Sequence, residues 1–359
     1  ISDVGPIFPC QRTGTDSGDN SLNLNSGQTP FAYGAPKGFL PLCAANAPRQ
    51  GILPKDYFGI NLYTGNGGTQ EITGLGFQPD LVVVKARNSA LNYNTWVDSV
   101  RGKAIVLFSN TEGADTDYQS ADKSITSFDR DGFTVKDGTN GDWGVNGTNG
   151  GTYSGNGTYV GWSWKAGGGT GAGNEFWIDG KQYASAAAAG LSGGGITPSG
   201  ASVGTKQGFS IIGYSGTGVN EEFYHGLGRK PSFAIVKNRD SGEDWAVYHV
   251  AIMPGTTRWT EANYLLLLNK KDHYAYNANT WANAPPTDTY FKVGGNDGRT
   301  NASGSDYIAY LWADVPGVQR FGKYIGRGGD NYVYLGFKPK LIMCKRYVAN
   351  SSPDTSTDY

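Results

Sequence analysis

The stretch at residues 76–85, GFQPDLVVVK, occurs three times in this chain. Its near-copies are GRKPSFAIVK at residues 228–237 and GFKPKLIMCK at residues 336–345. Proline fixes φ and donates no hydrogen bond, so it suits the start of a strand. The mostly apolar run that follows predicts a strand covered on both faces, whose burial ends at the closing lysine. Three copies indicate an internal repeat.

The similarity between the copies extends over about a hundred residues. An aromatic–glycine motif precedes each copy, at Tyr63, Tyr214 and Tyr324, and a phenylalanine strand precedes that motif. Downstream, Trp96 matches Trp245, and YVGWSWKAG from residue 159 matches YIAYLWADVPG from residue 307. We therefore predict an all-β chain of tandem, jelly-roll-like β-sandwich repeats at residues 56–168 and 208–317, with the start of a third at 318–359.

The last strand of each full repeat alternates large and small residues with a period of two. Val160, Trp162 and Trp164 are predicted to face the core, as are the matching residues of the second copy. The small residues Gly161 and Ser163 are predicted to face outward or to lie against a neighbouring backbone. On this interpretation Trp164 is a buried core residue.

Two segments lie outside the repeats, and their sequences predict different structures. Residues 1–55 contain short apolar strands that suit the end of a β domain. Residues 169–207 form an insertion rich in glycine, alanine and serine, and KQYASAAAAGL at residues 181–191 predicts one short helix that ends at a glycine. The insertion suits packing against its own chain or against a neighbouring subunit.

Composition narrows the class of function. Glycine accounts for 55 of 359 residues, aromatic residues for 13%, and the formal net charge is −1. This balance suits short strands and tight turns, and it gives no electrostatic drive toward nucleic acid or anionic membranes. No apolar run reaches the length of a membrane span, and no signal-peptide pattern is present. Because the sequence starts at Ile1 and Tyr359 falls within a repeat, we expect a fragment of a longer polypeptide.

No residue pattern points directly to catalysis, a metal or a cofactor. Cys10, Cys43 and Cys344 are expected to be free, with a Cys10–Cys43 bridge as the alternative. The three histidines lack zinc-site spacing, and His225 suits a turn. Four aspartates resemble pieces of a calcium loop but lack the EF-hand spacing, so structural calcium is a minor alternative: Asp129, Asp131, Asp137 and Asp142.

Aromatic side chains in two polar loops are the candidates for ligand binding. An exposed ring among Asn, Asp and Gly offers a flat face to a sugar and amides to its hydroxyl groups. The alternative is that these rings cap their own sandwich or lie in a subunit contact. The candidate residues are Trp143 and Tyr153 in the first repeat and Tyr274, Tyr276 and Trp281 in the second.

The motifs YTGNGGTQEITGLGFQPDLVVVKAR, SVRG, DGFTV and YVGWSWKAGGG resemble a repeated module of virion proteins of tailed bacteriophages, over nearly all of residues 56–346. SLNLNSGQTPFAYGAPKGFLPLC, from residue 21, resembles the closing strands of a SPRY or concanavalin-like domain.

The resemblance implies a tail fibre or other virion protein that is not an enzyme and that attaches to the host by multivalent binding. It also implies other tail proteins as partners, a homo-oligomer with a trimer favoured, and a host-surface glycan as ligand. The alternatives are a carbohydrate-binding protein outside a virion and a polysaccharide depolymerase whose catalytic part lies elsewhere.

Overall fold

Short β-strands make up nearly all of the regular structure in the residues that the computed structural model describes. Those residues are 52–88, 93–136, 144–147, 157–252, 260–272 and 274–347. Within them lie twenty strands and two single turns of 3-10 helix, at Pro54–Asp56 and Glu261–Asn263. The predicted all-β class is confirmed. In the same part of the chain, no helix has the length and apolar character needed to cross a membrane.

The first repeat folds into two sheets. The larger has the strand order β1-β9-β3-β4-β5-β6 and the smaller has the order β2-β8-β7. Val82 and Val84 of the large sheet face Phe133 and Val135 of the small sheet in one apolar core. The strands are β1 Phe58–Thr64, β2 Thr69–Thr73, β3 Leu81–Ala86, β4 Thr95–Asp98, β5 Ile105–Phe108, β6 Thr116–Asp117, β7 Ser124–Asp129, β8 Gly132–Lys136 and β9 Thr158–Trp164.

The insertion and the second repeat form a second pair of sheets. The insertion contributes β10 Phe176–Ile178, β11 Lys181–Tyr183 and β12 Gly200–Gly204. The second repeat contributes β13 Phe209–Ser215, β14 Glu221–Tyr224, β15 Phe233–Asn238, β16 Ala246–His249, β17 Tyr264–Leu267, β18 Ala275–Tyr276, β19 Tyr290–Val293 and β20 Asp306–Trp312. Nine of them form one sheet, in the order β11-β10-β12-β13-β20-β15-β16-β17-β18, and β14 pairs with β19.

The strand that opened the sequence analysis has the same place in both repeats. In the first, β3 pairs antiparallel with the central strand β9, with Leu81 opposite Trp164. In the second, β15 pairs antiparallel with the central strand β20, with Phe233 opposite Trp312. The predicted equivalence of these two inner strands is confirmed. The predicted match of Trp96 with Trp245 is wrong. Trp96 lies opposite Val83, and the residue opposite the equivalent Ile235 is Val247, so Val247 is the residue that matches Trp96.

The two large sheets pack against each other through one shared apolar core. Alternate residues of β3 face opposite ways: Val82 and Val84 face the small sheet, whereas Leu81 and Val83 join a cluster with Ile235 and other residues of the second repeat. The order of layers is therefore small sheet, large sheet, large sheet, small sheet. The equivalent residues Trp164 and Trp312 contact each other in this shared core, with ring centroids 6.4 Å apart.

The insertion is part of this body, and its predicted helix is absent. Strand β10 pairs parallel with β12, and β12 pairs with β13, so the insertion widens the sheet of the second repeat. The alanine-rich stretch forms one turn: the Ser185 hydroxyl accepts the Ala188 N–H at 3.2 Å, and Leu191 N–H donates to Ala186 O across Gly190. This N-cap and the glycine-ended C-cap lie too close together for a helix to form between them.

The burial of β9 is the reverse of the predicted pattern. Tyr159, Gly161 and Ser163 are buried, and Val160, Trp162 and Trp164 are half-buried. Gly161 is small because a Cβ there would lie 2.9 Å from the Phe133 ring of the facing sheet. The large residues face the second repeat instead, where they lie near the edge of the shared core.

Candidate functional site

The aromatic residues proposed as a sugar site do not form one group. Trp281 is 1% exposed, and its indole N–H donates to Tyr264 O at 3.0 Å. The expectation that Trp281 lies on the surface is wrong: it fills the core against Tyr248 and Phe291. Trp143 and Tyr153 lie outside the described residues, so their place in the site stays a prediction.

Two of the candidates do lie together at an edge of the second large sheet. We call Tyr264, Tyr274 and Tyr276 the tyrosine edge. The rings of Tyr274 and Tyr276 stand nearly perpendicular to the buried Tyr264 ring, at centroid distances of 5.1 and 5.7 Å. Tyr276 is 52% exposed and Tyr274 is half-buried. The tyrosine edge therefore presents aromatic surface at the end of a rigid sheet.

Polar residues lie close to the tyrosine edge along the chain. Asp272 and Lys271 are exposed just before Tyr274 along the chain. The Asn279 side chain, which follows β18, donates to Gly295 O at 2.7 Å and is held in place. A ring edge with fixed amide and charged neighbours has the chemistry that sugar hydroxyls and C–H faces require. This arrangement offers groups for contact with a ligand and does not by itself supply an acid or a base.

The strongest charged cluster lies between the repeats, and the sequence analysis missed it. Arg101 forms ion pairs with Asp98 at 2.6 Å and Asp115 at 3.0 Å, and Asp115 also pairs with Arg239 of the second repeat at 2.6 Å. The hydroxyl of Tyr310 donates to Asp98 at 2.8 Å. We call these five residues the inter-repeat network.

The electrostatics of the inter-repeat network are those of a structural site. Burial alone would lower the pKa of Arg101, but the neighbouring charges, Asp98 first, raise it above its ordinary value. Burial raises the pKa of the Tyr310 hydroxyl. Both groups therefore keep their protons at physiological pH. Aspartate and arginine three residues apart directly after an apolar strand are the sequence signal that would have found the network.

Asp80 is a second buried carboxylate with a structural role. It accepts hydrogen bonds from Ala166 N–H at 2.7 Å and from the hydroxyls of Ser99 and Ser202, both at 2.9 Å. Burial raises its pKa, and these hydrogen bonds oppose the shift. Because Ser202 belongs to the insertion, Asp80 joins the end of the first repeat to the strands that follow.

A buried asparagine holds the same turn in each repeat. Asn146 accepts the Asn66 N–H at 3.1 Å and donates to Gly68 O at 2.8 Å. In the second repeat Asn301 accepts the Thr217 N–H at 2.8 Å and also donates to a carbonyl of that turn. In the described residues, each asparagine therefore ties its segment to the turn that follows the first strand of its repeat.

Within the described residues, the histidines and aspartates that raised catalytic or metal alternatives have internal partners, whereas His273, Asp137 and Asp142 lie outside those residues. His225 Nδ1 accepts the Leu227 N–H at 3.2 Å, as its expected place in a turn requires, and burial lowers its pKa to about 4. Asp131 accepts the N–H groups of Gly74 and Gly76, and Asp129 accepts the Thr134 hydroxyl. Among the described residues, no three His, Cys, Asp or Glu side chains gather as metal ligands would.

Comparison with known proteins gives a family. The profile of the family described as "Domain of unknown function (DUF7483)" matches residues 53–352. The chain belongs to this family. No curated protein and no solved structure matches it. The matched region covers both full repeats, the insertion and residues 318–352 of the third copy, and the family description assigns no activity.

Proposed function

We propose that this chain is a structural protein of a tailed-bacteriophage virion, a tail fibre or similar appendage that attaches to the host by multivalent binding. The resemblance of the repeated motifs to virion modules supports this proposal. Among the structural observations, the fusion of two repeats into one body supports it best. A fibre or appendage must carry load and hold binding surfaces at fixed positions, and a four-layer body with a shared core suits that task.

The shared core and the inter-repeat network make this body stiff. Trp245 packs against Trp96 at a ring-centroid distance of 5.3 Å and donates its indole N–H to Thr111 O of the first repeat at 3.0 Å. Elements whose surfaces are buried on both faces open locally only at high free-energy cost. Several weak sites held in fixed geometry gain avidity without a strong individual site.

The tyrosine edge is the surface proposed for glycan contact. Its ring at Tyr276 is exposed at a fixed sheet edge, and the near-zero net charge of the chain argues against general electrostatic attraction to the host. The same observation supports a second candidate function, that of a carbohydrate-binding protein outside a virion. The two candidates differ in whether the chain is found on phage particles.

Two measurements test the proposal. Mass spectrometry of purified particles should find the chain in the virion, and antibodies against it should label the tail or the particle surface in electron micrographs. Purified chain in excess should reduce adsorption of the phage to its host. Absence from particles would overturn the virion role. Unchanged adsorption, with the chain folded and in its native assembly, would overturn attachment by these repeats.

A pair of variants tests the tyrosine edge. Tyr276→Ala should abolish competition for adsorption and binding to host polysaccharide on a glycan array. The matched control is Tyr332→Ala, because Tyr332 is a more exposed tyrosine in the third copy. Equal loss in both variants, or in neither, would contradict glycan contact at the tyrosine edge.

A further inference from the structure

One backbone hydrogen bond joins the first repeat to the second and recurs between the second repeat and the third copy. The N–H of Asp115 donates to the carbonyl oxygen of Arg239, in the second repeat, at 2.7 Å. The N–H of Tyr274 donates to the carbonyl oxygen of Tyr347, in the third copy, at 2.9 Å. We call these two contact regions the first junction and the second junction.

The strand registers show that the two donors are equivalent. The pairing of β5 with β6 matches that of β17 with β18, and it places Thr116 and Ala275 at the same register position. Asp115 and Tyr274 come directly before these two residues. The two acceptors are equivalent as well, because each lies two residues after the closing lysine of its copy of the repeated stretch.

A second contact recurs at the same two junctions. The carbonyl oxygen of Thr111 accepts the indole N–H of Trp245 at 3.0 Å, and that of Lys270 accepts the ammonium group of Lys345 at 2.5 Å. Each carbonyl lies three residues after the end of β5 or β17, so these acceptors are also equivalent. The two recurring contacts indicate one docking geometry that is used twice in succession.

The side chains at the recurring backbone hydrogen bond differ in kind between the junctions. In the first junction Asp115 forms ion pairs with Arg239 at 2.6 Å and with Arg101 at 3.0 Å. In the second junction the two equivalent residues are Tyr274 and Tyr347, which are half-buried and pack against the shared apolar core. The same two positions are therefore ionic in one junction and aromatic in the other.

We propose that this residue pair selects which copy of the repeat docks on which full repeat. A copy with tyrosine at the acceptor position, docked on the first repeat, would leave the half-buried carboxylate of Asp115 without Arg239. The cost of an unpaired charge then distinguishes between backbone contacts that are otherwise the same. The partner of the site at Asp115 is a copy with arginine at the acceptor position, and the partner of the site at Tyr274 is a copy with tyrosine there.

Such selection prevents a failure that is characteristic of repeat proteins. Their domains resemble one another, so a domain docks on the wrong neighbour or exchanges between chains. The shared docking geometry of the two junctions exposes this chain to that error, since backbone contacts alone do not tell the first repeat from the second. A matched ionic pair at one junction and a matched aromatic pair at the other keep the copies in their own places.

The test exchanges the pair at the second junction in the chain of residues 1–359. Tyr274→Asp places a carboxylate opposite Tyr347, so hydrogen exchange at the residue 274 amide should become at least about tenfold faster, after correction for the intrinsic rate. Adding Tyr347→Arg recreates the ionic pair and should return the rate to within about threefold of the native rate. Tyr347→Arg alone should lose less protection, because an arginine can lie over a tyrosine ring. Mass spectrometry with electron-transfer fragmentation resolves this amide.

Controls separate the residue pair from general effects of charge and folding. Tyr332→Asp and Tyr332→Arg place the same side chains at a third-copy residue that is 87% exposed, and both should keep the native exchange rate. In the double variant the recovered protection should weaken in 1 M salt, where the screening length is about 3 Å, whereas the native protection should not. Near-ultraviolet circular dichroism of the tryptophan cores should be the same in all variants.

Three outcomes would overturn the proposal. A native exchange rate in Tyr274→Asp would show that the pair does not affect docking. Loss in Tyr274→Asp without recovery on adding Tyr347→Arg would show that any polar residue loosens the junction, so the pair selects nothing. Native protection that depends on chain concentration would show that the contact forms between chains and not between successive copies of one chain.

Discussion

The large sheets of the two full repeats have the same strand order, but their first strands have different neighbours, and this difference determines how deeply equivalent residues are buried. In the first repeat, β1 is an edge strand among the described residues, and its Leu62 and Ile60 are exposed. In the second, the insertion strand β12 pairs with the equivalent strand β13, and all but the last residue of β13 are buried. The same repeat sequence thus yields an open edge in one copy and an interior strand in the other.

The largest expected effect concerns the two tryptophans of the shared core. Trp245→Ala should lower the free energy of unfolding by about 3–5 kcal/mol, because Trp245 is fully buried and its N–H is hydrogen-bonded. Trp96→Ala should cost about 1 kcal/mol less, because the buried Trp96 N–H has no hydrogen-bond partner among the described residues. Urea unfolding followed by far-ultraviolet circular dichroism measures both. A larger loss at Trp96 would contradict this assignment.

The inter-repeat network gives an effect of similar size that depends on charge. Asp98 of the first repeat and His249 of the second occupy the same register position. Burial lowers the pKa of His249 to about 4. Arg101→Met should destabilise the protein by about 3–5 kcal/mol, because it leaves Asp98 charged and buried without its ion pair. The double variant with Asp98→Asn should lose clearly less. Additive losses in a double-mutant cycle would show that the two side chains do not act as a pair.

A third comparison tests the equivalent central strands. Trp312 is buried against Phe209 and Phe233, whereas Trp164 is half-buried. Trp312→Ala should cost about 3 kcal/mol and Trp164→Ala about 1–2 kcal/mol, in proportion to the apolar surface each buries. The same urea series measures both, with Trp164→Phe as the control for aromatic contact. Equal losses would mean that the edge of the shared core around Trp164 is covered in solution.

The closing lysines of the repeated stretch, Lys85 and Lys237, should affect the pH dependence of stability to different extents. Lys85 is partly exposed, but Lys237 is fully buried, with its ammonium group donating to Asn238 O at 2.6 Å. Burial lowers the pKa of Lys237 from 10.5 to about 8. Between these values the folded state binds fewer protons than the unfolded state, so stability rises with pH in that window.

Lys237→Met removes the titrating group, so comparing the native chain with this variant measures the contribution of Lys237 to the pH dependence of stability. The free energy of unfolding of the native chain, relative to the variant, should rise by about 2 kcal/mol from pH 7.5 to pH 9.5. Lys85→Met, compared in the same way, should show a smaller change. A flat difference for Lys237→Met would mean that water reaches its ammonium group.

These comparisons show what the sequence predicts well. The repeated stretch predicts β3 and β15 as equivalent inner strands because Pro and an apolar run act locally. It fails at Lys237, where the prediction that lysine ends the burial is wrong, because the sheets of the two repeats pack against each other. The tryptophan match fails for a different reason. The loop before β4 is longer than the loop before β16, so Trp96 and Trp245 occupy different register positions.

The candidate site was predicted less well than the fold. Tyr274 and Tyr276 lie at a sheet edge, as a polar loop with aromatic residues suggests. Trp281 follows only five residues after Tyr276 in the same polar stretch, yet it turns inward and donates its N–H to Tyr264 O. Local composition does not reveal which ring of such a stretch turns inward. The inter-repeat network was missed because the contacts that join the two repeats, Asp115 with Arg239 and Tyr310 with Asp98, link residues more than a hundred positions apart in the chain.

The smallest expected effect is at the open edge of the first repeat, where Leu62 lies opposite Val160. Leu62→Ser should change the free energy of unfolding by no more than about 0.5 kcal/mol, because an exposed side chain loses little burial. The measurement is urea unfolding at low and at high chain concentration. A loss that appears only at high concentration would show that a second copy covers this edge. A loss at low concentration as large as that of a buried leucine would contradict the assignment of β1 as an open edge, and with it the comparison between the two repeats.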